Sequence, residues 1–250
     1  MSSVIISIEG NIGSGKSTLL KQLKKYIVQH SDYNTEKFVF LQEPVDVWNT
    51  IKDETGTTIL ERFYADQEQF AFSFQMMAYI SRLAQIRQAM REFPNAIIIT
   101  ERSIYTDKNV FAKMLHDDNK IQTIDYTIYM KWFDEFAMDI KCNVIIYVKA
   151  NADIASERVV KRSRKGEEIP LEYLEKCNQY HDNWIAREYS SSTVIELDGN
   201  IDTTEQPNVV NEWNKKIMSH IDKYYTSDDV IDDVSCKAGP YYSTQWLTGC

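Results

Sequence analysis

A glycine-rich run between a short apolar stretch and a long helical pattern constrains this chain more than any other feature. The run has the spacing G-x-x-x-x-G-K-S-T, and its residues are Gly10, Asn11, Ile12, Gly13, Ser14, Gly15, Lys16, Ser17 and Thr18. Glycines at this spacing let the backbone turn tightly, so that N–H groups converge on one point. The helix that begins near Lys16 directs the positive end of its dipole at the same point. The pattern predicts a phosphate-binding loop, and the flanking strand and helix favour it over a chance glycine-rich turn.

Two side chains of this loop have expected roles at the phosphates. Lys16 is expected to reach the β- and γ-phosphates, and the Ser17 hydroxyl to help hold Mg²⁺. The loop by itself leaves the reaction open, because switch GTPases, motor ATPases and small-molecule kinases share it. The sequence has no Asn-Lys-x-Asp guanine reader and no Asp-x-x-Gly after its third apolar stretch, and the first two classes usually need such further parts.

Short apolar runs alternate with longer helical patterns along the chain. The runs that predict strands are Val4–Ile8, Phe38–Leu41, Ala96–Thr100, Asn143–Val148 and Thr193–Leu197. The patterns that predict helices are Lys16–Gln29, Tyr64–Glu92, Ile104–Leu115, Thr123–Met138, Ala152–Arg162, Leu171–Arg187 and Val209–Tyr224. Nearly continuous apolar strands are typical of strands buried on both faces, and strand–helix alternation is typical of parallel sheets. We predict an α/β fold with a five-stranded parallel sheet and helices on both faces.

Length and composition limit the domain organisation and the partners. For the 250 residues we predict a single domain over residues 1–225 and an acidic, flexible tail over residues 226–250. The net charge of −9 argues against a nucleic acid polymer as partner. Neither a transmembrane run nor a basic leader is visible, so we expect a cytoplasmic protein. No metal-ligand spacing occurs among the four cysteines, which we expect to be free thiols: Cys142, Cys177, Cys236 and Cys250.

Charged clusters follow three of the predicted strands, where open α/β sheets place their sites. Glu43 follows the second strand, and Glu101 and Arg102 follow the third. A hydroxyl acceptor benefits from a carboxylate base, so Glu43 is a candidate general base. A segment after the fourth strand carries Arg158, Arg162 and Arg164. Arginines on a mobile lid can stabilise a transferring phosphoryl group without blocking entry. Each cluster taken singly has a structural alternative as a helix cap or a surface charge.

Five segments occur in an order that is typical of one enzyme family. They are IEGNIGSGKST, QEPVDVW, FAFSFQ with SRL soon after, ERSIYTD and RSRKGEEIPLEYLEK, and they span roughly residues 3–200. In these segments the chain resembles the deoxynucleoside kinases, a family that includes deoxycytidine, deoxyguanosine and mitochondrial thymidine kinases and the insect multisubstrate enzyme. The resemblance implies a P-loop kinase fold with a short lid, ATP and Mg²⁺ as cofactors, and a deoxyribonucleoside phosphorylated at its 5′-hydroxyl. It also implies a homodimer built on the helices predicted at 64–92 and 123–138.

The resemblance implies roles for residues at the reacting end of the site. Glu43 looks like the general base for the 5′-hydroxyl, and Arg102 resembles the arginine that holds this base. Glu101 looks like the acid that organises Mg²⁺ alongside Ser17. The lid arginines of the family resemble Arg158, Arg162 and Arg164.

The resemblance also implies a nucleoside pocket. Gln75 resembles the residue that hydrogen-bonds the base edge, and a buried amide among apolar side chains needs such a partner. The apolar walls of the base site resemble three residues that would otherwise be ordinary core residues: Trp48, Phe74 and Phe111. Tyr64 and Glu167 resemble the pair that holds the 3′-hydroxyl. The lid is one residue shorter than the family pattern, which leaves Glu168 as the alternative to Glu167.

Three further positions bear on the choice of nucleoside. Ala78, Arg82 and Asp107 together resemble the deoxycytidine and deoxyguanosine kinase branch more than the thymidine-using members. An Arg–Asp pair at the polar edge of a base crowds the space of a 5-methyl group. We expect deoxyadenosine, deoxycytidine or deoxyguanosine to be favoured over thymidine, without a rank among the three. The structural alternative is an ion pair on a helix surface, worth about 0–1 kcal/mol, that does not read the base.

Two other functions are compatible with the same loop. A nucleoside monophosphate kinase of the thymidylate type needs a basic site for the acceptor phosphate, whereas the carboxylate of Glu43 suits a neutral hydroxyl. A non-catalytic nucleotide-binding subunit would keep the loop for folding or sensing. The retention of Glu43, Glu101 and Arg102 together argues against this second alternative.

Overall fold

Five parallel strands form one sheet in the computed structural model, which describes residues 3–30 and 32–225. The strands are β1 Val4–Glu9, β2 Phe38–Leu41, β3 Ile97–Glu101, β4 Val144–Lys149 and β5 Thr193–Asp198. Their order across the sheet is β2-β3-β1-β4-β5, and each neighbouring pair is parallel. The predicted α/β fold with a five-stranded parallel sheet is therefore confirmed. The tail predicted over residues 226–250 lies outside the described residues, and the single-domain organisation stays a prediction.

Ten α-helices surround the sheet within the described residues. They are α1 Lys16–Gln29, α2 Val45–Thr50, α3 Ile59–Ala65, α4 Gln67–Glu92, α5 Ile104–Thr106, α6 Lys113–Asp117, α7 Thr123–Ala137, α8 Ala152–Arg162, α9 Leu171–Glu188 and α10 Pro207–Ile221. A π-helical turn, Asp107–Ala112, joins α5 to α6. Short 3-10 helices occupy Thr35–Lys37 and Asp222–Tyr224. None of the described helices is long and apolar enough to span a bilayer.

The strands are apolar along nearly their whole length because helices cover both faces of the sheet. On one face, Ile6 and Ile8 of β1 pack with Leu19 and Leu23 of α1 and with side chains of α10. On the other face, Ile5 belongs to a cluster with side chains of α4 and α7. Burial on both faces explains why the strand predictions are correct to within one residue at each end.

The helix predicted over Tyr64–Glu92 is wrong at its start, because two helices meet at Asp66. The backbone of Asp66 leaves the helical region, and its carboxylate accepts a hydrogen bond from the Gln69 N–H as the N-cap of α4. The helix before it, α3, begins with a capping box formed by Thr58 and Glu61. The apolar period continues across the break, which hid the boundary in the sequence.

Two other helix predictions need correction. Ile104–Leu115 is not one α-helix, since residues 107–112 form the π-helical turn, and α6 continues to Asp117. The predicted Val209–Tyr224 begins two residues earlier, because Pro207 occupies the first helical turn, and it ends as α-helix at Ile221. The short helix α2 was not predicted; it begins directly after Pro44 at the end of β2.

Candidate active site

The glycine-rich loop follows β1 and leads into α1, as predicted. Gly10, Gly13 and Gly15 have φ angles of 141°, 80° and 102°. A Cβ atom on Gly10 would lie 2.4 Å from the Val148 carbonyl oxygen, and one on Gly13 would lie 2.3 Å from that of Ala155. The first two glycines are therefore required both by conformation and by close backbone approach, and the third by its conformation.

Lys16 is buried at the start of α1 with its ammonium group inside the loop. Its Nζ donates to the Asn11 carbonyl oxygen at 2.5 Å. Burial first, and then the positive charge of Arg102, lower the pKa of Lys16 to about 7. Asn11 in turn fixes the loop against α9, because its side-chain amide donates to the Leu174 carbonyl oxygen at 2.8 Å and to Asn178 Oδ1 at 2.7 Å.

Glu43 lies beyond the end of β2, between two guanidinium groups. Arg102 Nη1 donates to its Oε1 at 2.6 Å, and Arg82 Nη2 donates to the same atom at 3.2 Å. The other oxygen, Oε2, accepts no hydrogen bond from the described residues. Burial raises the pKa of Glu43, but the charges of Arg102 and Arg82 outweigh it and lower the pKa to about 2. The group is thus an ionised carboxylate at neutral pH, and its Oε2 is free to accept a hydrogen bond from a ligand.

Ser17 and Glu101 bring two oxygen groups together at the phosphate end of the site. The Ser17 hydroxyl donates to Glu101 Oε1 across a sequence separation of 84 residues. Mg²⁺ in nucleotide enzymes is usually bound by one or two such protein oxygens and by substrate phosphates. No group of three or more metal-ligating side chains occurs in the described part of the chain. A hydroxyl and one carboxylate beside the loop therefore fit a Mg²⁺ ion shared with phosphates better than an all-protein metal cage.

Aromatic side chains and a buried amide form the far end of the site. The Trp48 and Phe74 rings meet edge to face with centroids 5.3 Å apart, and the indole N–H of Trp48 donates to Ser81 Oγ at 2.9 Å. Gln75 is buried, and its Oε1 finds no hydrogen-bond partner among the described residues. Phe111 lies under Arg102, 5.3 Å from ring centroid to guanidinium carbon. Trp48 and Phe74 are core residues and pocket walls at once.

Arg82 and Asp107 form a buried ion pair. Arg82 Nε donates to Asp107 Oδ2 at 2.9 Å, and the two side chains are 3 % and 1 % exposed. The alternative of an ion pair on a helix surface is therefore wrong. Arg82 also donates to the Glu101 carbonyl oxygen at 3.0 Å. Because it contacts Glu43 as well, Arg82 connects the predicted base-reading position with the predicted general base, a link that the sequence did not reveal.

In the segment between α8 and α9, which corresponds to the predicted lid, the side chain of Glu167 is buried. The side chain of Glu167 is 2 % exposed, whereas Glu168 is exposed. Arg162 Nη2 lies 2.6 Å from Glu167 Oε2, and Arg164 Nη1 lies 3.5 Å from Oε1. Burial first, and then the charge of Glu167, raise the pKa of Tyr64. Of the two candidate carboxylates, Glu167 is thus the one beside Tyr64.

Arg158 has a different environment from the other two lid arginines. Its guanidinium donates to the carbonyl oxygens of Gly199 at 2.6 Å and of Ile201 at 3.2 Å. It therefore braces the turn after β5. Residues of this turn and of the helices near it line the site and were missed in the sequence: Gln22, Gly199, Ile201, Asp202, Thr203, Thr204 and Trp213. A glycine directly after a strand of an α/β sheet was the available signal for the turn.

One cavity of about 800 Å³ joins these parts. Of the predicted site residues, Gly10 and Asn11 do not line the cavity, and all the others do. These are Ile12, Gly13, Ser14, Gly15, Lys16, Ser17, Thr18, Glu43, Trp48, Tyr64, Phe74, Gln75, Arg82, Glu101, Arg102, Asp107, Phe111, Arg158, Arg162, Arg164 and Glu167. Loop residues, aromatic side chains and the Glu43 carboxylate all line this cavity, so it can hold both a phosphate chain and an aromatic ring.

Comparison with known proteins gives a consistent family. The family model described as deoxynucleoside kinase matches residues 6–224. A probable deoxycytidine kinase of Fowlpox virus (strain NVSL) is 33 % identical over 227 residues, covering 88 % of this chain and 89 % of the viral protein. Deoxycytidine kinase 1 of Xenopus laevis is 34 % identical over 201 residues, covering 72 % and 73 %. The mitochondrial deoxyguanosine kinase of Xenopus laevis is 28 % identical over 201 residues, covering 73 % of each chain.

Proposed function

The chain belongs to the deoxynucleoside kinase family, and we infer from this that it transfers a phosphoryl group from ATP to the 5′-hydroxyl of a deoxyribonucleoside in nucleotide salvage. The observation that carries the inference is one cavity that is lined by the phosphate loop, by the Glu43 carboxylate and by aromatic side chains. This arrangement suits a nucleoside acceptor, which has an aromatic base and a neutral hydroxyl on its sugar.

The side chains divide into a donor group and an acceptor group. Loop N–H groups and Lys16 bind the donor phosphates, and Arg162 and Arg164 line the same cavity. Glu43 Oε2 accepts the proton of the 5′-hydroxyl as its oxygen attacks the γ-phosphorus, and the bond from that phosphorus to the β–γ bridging oxygen breaks, which releases ADP. Arg102 holds Glu43 through Oε1, so that the carboxylate is positioned before the acceptor arrives. Positioning and charge stabilisation of this kind supply most of the catalysis in phosphoryl transfer.

Ser17 and Glu101 are the residues that would hold Mg²⁺. When bound, the ion would neutralise negative charge on the phosphates. Ser17 belongs to the phosphate loop and its hydroxyl donates to Glu101, so we expect replacement of either residue to affect the donor side of the reaction.

The same geometry favours this function over the two alternatives. An acceptor phosphate would meet the negative charge of Glu43, which argues against a nucleoside monophosphate kinase. A non-catalytic subunit has no need for Arg102 and Glu43 in direct contact beside a phosphate loop. The mutual arrangement of these groups is what supports an enzyme.

For the substrate we propose a deoxynucleoside other than thymidine, with deoxycytidine first. Gln75 Oε1 is positioned to accept an N–H from a base edge, but an amide can be turned to suit several bases. We expect the buried Arg82–Asp107 pair to limit the space beside the base. The relatives named deoxycytidine kinase support the order of preference.

A steady-state panel tests the function. We expect turnover of deoxycytidine, deoxyadenosine or deoxyguanosine with ATP and Mg²⁺, slower turnover of thymidine, and none of the corresponding monophosphates. The measurement is kcat/KM for each acceptor by the release of ADP and by the nucleotide formed. Turnover of monophosphates in place of nucleosides, or ATP consumption that does not depend on an acceptor, contradicts the proposal.

Replacing Arg82 by Met and Asp107 by Ala together is expected to raise kcat/KM for thymidine relative to deoxycytidine. The double change leaves no unpaired buried ion and makes room for the 5-methyl group, a gain of about 10- to 200-fold in the ratio. Absolute rates fall, because Arg82 also contacts Glu43. The matched control replaces the exposed pair Arg87 and Asp139 by Met and Ala and leaves the ratio unchanged. An unchanged ratio in an active, folded Arg82→Met/Asp107→Ala variant shows that the pair does not read the base.

We also propose a homodimer formed through α7. One side of this helix carries an apolar residue at every fourth position. These residues are between 40 % and 75 % exposed: Ile124, Ile128, Trp132 and Phe136. The residues on its other side, Tyr129 and Phe133, are buried in the core. An exposed apolar stripe of this length is typical of a protein interface, and a second copy of the chain presents the same stripe around a two-fold axis.

Trp132→Glu is expected to convert the dimer to a monomer, because it places a charge in the centre of the apolar stripe. Sedimentation velocity at micromolar concentration measures the mass. Val28→Glu on α1, where Val28 is 61 % exposed, is the matched control and keeps the mass of the wild type. A wild-type chain that sediments as a monomer contradicts the dimer proposal and leaves the enzymatic one intact.

A cytoplasmic location remains part of the proposal. Cys142 and Cys177 are free thiols, which fits a reducing compartment. One relative is named as a mitochondrial enzyme, so fractionation of cells that express the chain is the test that separates the two locations.

A further inference from the structure

Arg102 has a backbone conformation that is unusual for its residue type. Its φ angle is 62°, in the left-handed region. The other described non-glycine residues with positive φ are Asn95, Asn119 and Ser163, of which the two asparagines are of the kind that tolerates this region best. A long side chain in this conformation persists only where its surroundings hold it, and such residues cluster at functional sites.

Three hydrogen bonds hold the backbone around Arg102. Its N–H donates to the Ile8 carbonyl oxygen at 2.9 Å. Its carbonyl oxygen accepts from Thr100 Oγ1 at 2.6 Å. The next N–H, that of Ser103, donates to Glu9 Oε1 at 2.9 Å. The conformation is thus fixed on both sides of the residue by groups that lie outside the cavity.

Glu9 is a buried carboxylate whose two oxygens both hold this turn. Its Oε2 accepts a hydrogen bond from the Thr106 hydroxyl, one turn further along the chain. Glu9 and Thr106 are each 0 % exposed, and Thr100 is 2 % exposed. Burying a carboxylate is costly unless strong donors satisfy it. Glu9 directly precedes the phosphate loop, so one side chain connects the donor loop with the turn that carries Arg102.

The left-handed backbone directs the side chain of Arg102 toward Glu43. Nη1 donates to Glu43 Oε1 at 2.6 Å. Nε and Nη2 are buried and find no partner among the described residues. The guanidinium therefore holds the carboxylate with one nitrogen and presents two unpaired donors at the cavity. A right-handed backbone at residue 102 would direct the side chain elsewhere.

We propose that Glu9 and Thr100 are positioning residues for phosphoryl transfer, which act by holding Arg102 in its left-handed conformation and thereby aligning Glu43. The inference rests on the proposed function. Neither residue lines the cavity, and hydrogen bonds join both to the turn that carries Arg102. Displacing a catalytic group by about 1 Å costs on the order of 100-fold in rate. We therefore expect kcat to respond more strongly than the KM for either substrate.

The experiment compares Thr100→Val with Thr100→Ser and repeats the changes without the arginine side chain. Valine has nearly the shape of threonine but cannot donate to the Arg102 carbonyl, whereas serine can. We expect Thr100→Val to lower kcat by about 10- to 100-fold and Thr100→Ser to restore most of it. In an Arg102→Ala background the same Thr100→Val change is expected to lower kcat less than about twofold, since the group through which it acts is gone.

Glu9→Gln is the second, independent variant, in case the first does not fold. An amide has one acceptor oxygen where the carboxylate has two, so one of its two donors loses its acceptor. The same dependence on Arg102 is expected. Equal losses in the wild-type and Arg102→Ala backgrounds, or wild-type kcat in both folded variants, overturn the inference. Absence of nucleoside phosphorylation in the wild-type chain overturns the proposed function instead, so the two failures are distinguishable.

Discussion

Replacing Lys16 by alanine is expected to lower kcat by about 100- to 1,000-fold while the protein stays folded. Lys16 is the cation inside the loop, and removal of one preorganised donor to transition-state charge typically has an effect of about this size. Folding does not need the ammonium group, because its burial costs free energy and its protein partner is one carbonyl oxygen. The measurement is kcat with saturating ATP and nucleoside, together with the thermal midpoint of unfolding.

A second lysine on the same helix serves as the matched control. Lys25 is exposed on α1 and outside the cavity. Lys25→Ala is expected to keep wild-type kcat. If folded Lys16→Ala keeps more than about a tenth of wild-type kcat, a loss of less than 1.4 kcal/mol of transition-state stabilisation, the assignment of this loop to the transferring phosphate is wrong.

Glu43→Gln is expected to lower kcat by about 100- to 10,000-fold, the usual range for a positioned general base. The amide keeps the size of the side chain and one acceptor oxygen for Arg102, so the affinity for the nucleoside should largely survive. The measurements are kcat and the dissociation constant of the nucleoside in the absence of ATP. Weakened binding at unchanged kcat would instead assign Glu43 to substrate positioning.

The pH profile of the wild type provides an independent check on Glu43. Its pKa is lowered to about 2, so the active carboxylate form is present above that pH and is lost only as the pH falls through it. No acid limb from Glu43 is therefore expected in kcat between pH 5 and 8. A carboxylate with so low a pKa is a weak base, and its contribution lies in orienting the hydroxyl and in accepting the proton late in the transfer.

The sheet was predictable from the sequence because burial of both faces leaves a simple pattern. The apolar run Val4–Ile8 predicted β1 to within one residue, and residues 5–9 of this strand are buried. The ends of the helices were harder to predict where the helical spacing of apolar residues continues from one helix into the next. The apolar residues keep their helical spacing on both sides of Asp66, so its role as a helix cap is visible only in the backbone conformation. The π-helical turn Asp107–Ala112 has no distinct sequence pattern, since its buried side chains also fit an α-helix.

For the candidate site, the sequence predicted the residues better than their partners. The motif places Lys16 and Ser17 because their neighbours in the chain are their neighbours in space. The contacts of Glu43 involve residues 39 and 59 positions away, and no local pattern encodes them. Arg158 was assigned with Arg162 by spacing along one helix, yet its guanidinium holds backbone carbonyls of a distant turn. The roles of these residues stay predictions until the variants are measured.

The lowered pKa of Lys16 makes the binding of ATP depend on pH. In the free enzyme this pKa is about 7, so the lysine changes its charge near neutral pH. Phosphate oxygens favour the ammonium form and raise the pKa, and ATP therefore enters together with a fraction of a proton. Below pH 7 the lysine is already charged and the linkage vanishes. Above this pKa the affinity for ATP falls by up to about tenfold per pH unit, so a more alkaline medium weakens the binding of the donor, whereas Glu43 stays ionised.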